Sequence, residues 1–84
     1  MHPSTPKYAR LIEIIKTEIQ QGVLIPEQKL PNEDEIAEQY GMSRGTVRKA
    51  IAELQRMGLL RKEQGRGTFV NEPKAALNGF SLTE

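Results

Sequence analysis

Cysteine and tryptophan are both missing from this 84-residue chain, and histidine occurs once. Without cysteine there are no disulfides, no thiolate nucleophiles and no cysteine-held metals. The one histidine, His2, lies alone in the terminal stretch and cannot assemble a metal site or a catalytic triad, so both fall away together. Neither an enzyme nor a cofactor is expected. Long apolar runs are lacking too, and nothing approaches the roughly 20 residues that a membrane-spanning helix requires. Residues 1–6 do not show the charged, apolar and cleavable order of a secretory signal. The expected setting is cytoplasmic, with no membrane partner.

A chain of this length suffices for one domain and buries only about 60–65% of its unfolded surface, so its core is small. With 37% hydrophobic and 27% charged residues it has the composition of an ordinary globular domain, neither disordered nor fibrous. The net charge of +1 hides a strong asymmetry. Residues 43–70 carry seven cations (Arg44, Arg48, Lys49, Arg56, Arg61, Lys62 and Arg66) against Glu53 and Glu63, a net of +5. The remainder sets five cations against nine carboxylates, a net of −4. A basic segment of this kind is the footprint of a nucleic-acid or anionic-surface binder.

Apolar spacing organises the chain. Tyr8, Leu11, Ile12, Ile15 and Ile19 form the stripe of an amphipathic helix that Gly22 should end. "VLIPEQKLP" follows as a connection with apolar anchors, its prolines biasing Ile25 and Leu30 to extended geometry. Asn32 then supplies an N-cap and Glu35 the return half of a capping box, which predicts a helix over residues 33–40 with Ile36, Ala37 and Tyr40 buried. Gly41 is placed to close it in the left-handed conformation, and Ser43 to cap a third helix, with Met42 and Val47 as a hydrophobic staple. Val47, Ala50, Ile51 and Leu54 form the core stripe of that helix, and Gly58 stops it. Two helices joined by about three residues with a glycine in the turn make a helix-turn-helix. Residues 59–64 and 68–70 read as strands around Gly65, Arg66 and Gly67, a hairpin wing. The expected fold is mainly α with a small β-hairpin, a three-helix winged helix-turn-helix over residues 8–71. Residues 1–7 are expected to be an arm, and residues 72–84 a linker.

On a helical wheel centred on Val47, the core stripe occupies one arc, while Gly45, Arg48, Lys49 and Ala52 fall between about 100° and 200°, opposite it. Small residues there let the helix backbone sink into a groove, and the cations extend from it. A DNA major groove about 12 Å wide admits one α-helix, and an arginine donates two hydrogen bonds to guanine O6 and N7. Arg44, at the helix start, is placed to reach the same groove. Ser43, Thr46 and the free amides of the first turn suit a phosphate, as does Lys49. Arg66, or the backbone of Gly65 and Gly67, suits the minor groove, with Gln64 and Thr68 completing the candidate set at the wing. A solvated helix face looks the same in any one window, and a protein-contact module with an acidic partner is the rival reading. The acidic residues Glu33, Asp34, Glu35 and Glu38 read most simply as a capped, solvated helix turn, and Tyr8, Tyr40 and Phe69 as packing.

The order of these pieces resembles the winged helix-turn-helix domain of the GntR family of bacterial transcription regulators, especially its HutC-like branch. The resemblance runs over residues 6–70, and "LP-x-E-x-E-IA", "SRGTVRKAI" and "GLL...QGRGTFV" carry it. It implies operator contacts from Ser43, Arg44, Thr46 and Arg48, with Gly65 in the minor groove. It further implies repression from a nucleoid-associated homodimer on a near-palindromic duplex, tuned by a small-molecule effector on a C-terminal domain that "NEPKAALNGFSLTE" would precede. Three positions depart from the family's pattern. Asp34 stands where a base-reading arginine is common, and either reads a different base, through cytosine N4, or reads none. Gly45 replaces a frequent threonine, and "PEQKLP" lacks the glycine common after its first proline, which should alter a loop.

Overall fold

Burial of the first stripe produces helix α1 (Lys7–Gln20), in which Leu11 and Ile15 are buried and Tyr8, Ile12 and Ile19 pack half-buried against the core. The computed structural model describes residues 6–72. Helix α1 already includes Lys7, one residue into the expected arm, with Pro6 at its N-cap, and residues 1–5 of that arm lie outside the described residues. So does all of the expected linker except Glu72.

Local capping sets the next two helices. In α2 (Glu33–Tyr40) the Asn32 side chain accepts from the Glu35 amide at 2.8 Å, and the Glu35 carboxylate accepts from the Asn32 amide at 2.9 Å. Two of the amides left open at the helix start are thus satisfied reciprocally. Gly41 closes the helix at φ 66°, where an L side chain would crowd the backbone, and the Met42 amide then reaches the Ala37 carbonyl at 3.0 Å. Helix α3 (Arg44–Arg56) starts at once, with Ser43 Oγ accepting from the Thr46 amide at 3.1 Å. Ser43→Ala should destabilise the domain by about 1 kcal/mol, measurable as a lower denaturant midpoint at unchanged slope.

Helix α3 is the centre of the molecule. Its stripe Val47, Ala50, Ile51 and Leu54 is almost wholly buried and meets Leu11 and Ile15 of α1, Ile36 and Ala37 of α2, and Leu60 and Val70 of the hairpin in one aliphatic cluster. Among the described residues no polar or charged side chain is buried. A Schellman closure ends α3: the amides of Gly58 and Leu59 bond the carbonyls of Gln55 and Leu54, each at 3.0 Å. The chain then enters β1 (Leu60–Glu63), which pairs antiparallel with β2 (Gly67–Val70), Leu60 opposite Val70 and Lys62 opposite Thr68. Each strand sits within a residue of its expected bounds.

The connection between α1 and α2 does more than link them. Leu30 is buried as an anchor and Leu24 half-buried, but Val23 and Ile25 are 61% and 55% exposed. Its end lies along the free edge of β2: Glu27 N–H donates to the Val70 carbonyl, Val70 N–H to Gln28, and Leu30 N–H to Thr68, at 2.7–2.9 Å. Lys29 opposite Phe69 completes the bridge. The hairpin is therefore held from both flanks of its second strand. Glu27 adopts φ 72°, alone among the described non-glycine residues in having a positive value, at the position where the resemblance leads one to expect glycine. The departure is absorbed by a left-handed glutamate.

Candidate nucleic-acid interface

Helix geometry alone fixes which side of α3 faces outward. With the core stripe turned in, Arg44, Gly45, Arg48, Lys49 and Ala52 are all exposed, as the wheel requires. Space around Gly45 is open: a Cβ built there would meet only Ser43 Oγ, at 3.9 Å. The wing stands beside this face. Alternation along β1 and β2 turns Lys62 and Thr68 toward a groove of about 440 Å³ that Arg44, Glu33 and Asp34 also line.

The cations of this surface do not stand free. Arg44 Nε lies 3.2 Å from Asp34 Oδ1. Arg48 donates from Nε and from Nη2 to the single oxygen Glu33 Oε1, at 3.3 and 3.2 Å, and Lys62 Nζ is 3.8 Å from Glu33 Oε2. Two members of the acidic turn are thus partners of the arginines, which corrects its reading as merely solvated. Lys49 extends Nζ to 4.3 Å from the centroid of the Tyr8 ring, so Tyr8 receives a cation as well as packing. These partners lie far apart in sequence, and no local spacing announces them.

On the other face of the hairpin, Arg61 is a hub. It donates to Glu63 Oε2 at 2.8 Å, to Asn71 Oδ1 at 3.0 Å and to the Glu27 carboxylate, and stands 5.5 Å from the Phe69 ring. The guanidinium holds the Glu63 carboxyl below the ordinary glutamate range, and the carboxylates of Glu27 and Glu63 raise Arg61 in turn. Glu63 therefore stays ionised on acidification past the point where a free glutamate takes up its proton. Arg66 folds back to the same face, with Nη1 2.9 Å from Glu63 Oε1 and its guanidinium 5.6 Å from Phe69. Gln64 and Gly65 form the exposed tip with the exposed Arg66 beside them, whereas Gly67 sits beneath the stem of Lys29, whose Cε would lie 2.7 Å from a Cβ built there.

Ser43, Arg44, Gly45, Thr46, Arg48 and Lys49 are gathered at one end of α3, and Asp34 adjoins them through Arg44. Gln64, Gly65, Gly67 and Thr68 lie on the neighbouring wing, with Arg66 turned to its far side. Among the described residues no group of His, Cys, Asp and Glu is arranged to hold a metal ion, and no helix is long and apolar enough to cross a membrane.

Residues 7–70 match the family described as bacterial regulatory proteins, gntR family. The chain belongs to the GntR family. Its GntR domain is 50% identical over 82 residues to the HTH-type transcriptional repressor NagR of Bacillus subtilis (strain 168), covering 94% of this chain and 34% of that protein. The histidine utilization repressor of Pseudomonas aeruginosa is 46% identical over 69 residues, 82% of this chain and 28% of that one, which places the domain with HutC-like relatives. The chain thus spans about a third of the length of the curated relatives it matches. Among solved structures, AraR(DBD) in complex with operator ORR3 shares the fold at a TM-score of 0.79 and 48% identity, over 83% of this chain and 84% of that one. The GntR domain is accordingly a winged helix of a family of regulators rather than of enzymes.

Proposed function

We propose that this GntR domain binds double-stranded operator DNA sequence-specifically, with α3 in the major groove and the wing tip in the minor groove. The observation that carries this reading is the exposed face of α3, where Arg44 and Arg48 flank the bare backbone at Gly45, beside a hairpin with an uncovered glycine. Arg48 and Arg44 read base edges, while Ser43, Thr46, Lys49 and the first-turn amides hold phosphates. Gly65 enters the minor groove with Gln64, Gly67 and Thr68 around it, and Arg66 follows on leaving Glu63. Asp34 serves as the partner of Arg44 rather than as a reader. Releasing an exposed ion pair costs about 0–1 kcal/mol, whereas a bidentate contact to guanine contributes about 1–3 kcal/mol, so the exchange favours DNA.

In the cell this places the domain in the cytoplasm, on the nucleoid. It acts there as half of a homodimer on a near-palindromic site, as a repressor tuned by a small-molecule effector on a part of the protein beyond this stretch. Selection of bound duplexes from a random pool, followed by salt titration of the winner against random duplex, tests the reading. A recurrent half-site bound at least about a thousandfold tighter than random DNA is the expected result. Generic polyanion attraction without preference would point instead to a protein-contact module with an acidic partner.

A further inference from the structure

One carboxylate, that of Glu33, is shared between the recognition helix and the wing. Glu33 sits at the first position of α2, held there by the Asn32 cap, with its side chain 26% exposed against 64% for Arg48 and 51% for Lys62. Both donors to Oε1 come from one edge of the Arg48 guanidinium, the Nε–Nη2 edge. A guanidinium has five N–H donors in a fixed planar fork. Two are taken by Glu33, and the outer edge between Nη1 and Nη2 keeps its parallel pair of donors. That outer edge is the one a guanine would accept from through O6 and N7.

Resting on the proposed DNA reading, we propose that Glu33 is a positioning residue for sequence recognition, which keeps Arg48 by its inner edge in the bound complex and aims the outer edge at a guanine. Through Oε2 the same carboxylate also faces Lys62 on the wing, an exposed pair at 3.8 Å that contributes little by itself. Asp34 differs. Its contact to Arg44 joins two groups that are 69% and 66% exposed, and among the described residues no second cation shares it. A carboxylate at a DNA-facing surface repels phosphate, which makes the sign of its removal informative. If Glu33 only repels, deleting it tightens binding to every duplex alike. If it positions, the selected duplex must lose while random duplex does not.

The test uses the whole 84-residue chain as unaltered protein, Glu33→Ala, Glu33→Gln, Arg48→Ala and the double variant Glu33→Ala/Arg48→Ala. Each is titrated with the selected duplex, with that duplex changed at the base pair whose preference Arg48→Ala relaxes, and with random duplex, after thermal melting has confirmed folding. Glu33→Ala is expected to weaken the selected duplex about tenfold, to leave random duplex equal or tighter, and to flatten discrimination at that one base pair. Glu33→Gln, which keeps an acceptor oxygen, falls between. In the Arg48→Ala background, removing Glu33 weakens nothing further. Equal tightening on all duplexes, or an unchanged preference at the base pair read by Arg48, overturns the inference while leaving DNA recognition intact. Absence of any sequence preference in the unaltered chain overturns both.

Discussion

Leu54→Ala lowers the free energy of unfolding by about 2–5 kcal/mol, because the side chain lost is completely buried and α3 cannot move to fill the space. Leu54 lies on α3, the helix that packs against α1, α2 and β1 around the shared core. For a domain of this size each kcal/mol moves the midpoint by about 4–8 °C, so a drop of roughly 10–40 °C is expected in thermal denaturation followed by circular dichroism. A stability of about 5–15 kcal/mol is usual for whole domains, and a small core sits at the low end, so part of the population should be unfolded at 37 °C. Ile25→Ala serves as the contrast. That side chain is 55% exposed, and its loss should leave the midpoint nearly unchanged.

Arg48→Ala should weaken binding to the selected duplex by about 1–3 kcal/mol, a loss of roughly 5- to 150-fold, and relax the preference at one base pair. Its fold should be intact, since the side chain is exposed and its ion pair with Glu33 contributes little to stability. Lys49→Ala is expected to behave differently. A point charge over Tyr8 and beside a phosphate weakens selected and random duplexes by the same factor and lowers the salt slope by about one. Fluorescence anisotropy at several salt concentrations separates the two patterns. If Arg48→Ala preserved both affinity and preference, the assignment of this face would be wrong.

The contrast between those two cations shows what the sequence makes legible. Caps and stops are local signals: Asn32 with Glu35, Ser43 with Thr46, and Gly41 each act within one turn, so the helix boundaries can be read directly. The inward stripe of α3 follows from helical period, and its outward face follows by subtraction. What escapes is whatever depends on the angle between elements. Glu33 and Arg48 are fifteen positions apart, and only the crossing of α2 over α3 brings them together. Glu27 to Leu30 reads as a proline-bounded connection, yet its backbone donors find β2 because that edge is unpaired and close. Arg66 reads from sequence as a minor-groove cation, yet in the fold its exposed side chain pairs with Glu63 and lies near Phe69 of its own hairpin.

Asn71 is the last structural tie of the described chain, and it grips in two directions. Its amide nitrogen donates to the Gly58 carbonyl at 3.0 Å, and its oxygen accepts from Arg61, the hub at the base of the wing. Tension or rotation applied to the backbone after this point would meet, within a single side chain, both the tail of the reading helix and the root of the hairpin. The end of the wing is thereby fastened at one side chain to the C-terminal turn of α3 and to the base of β1.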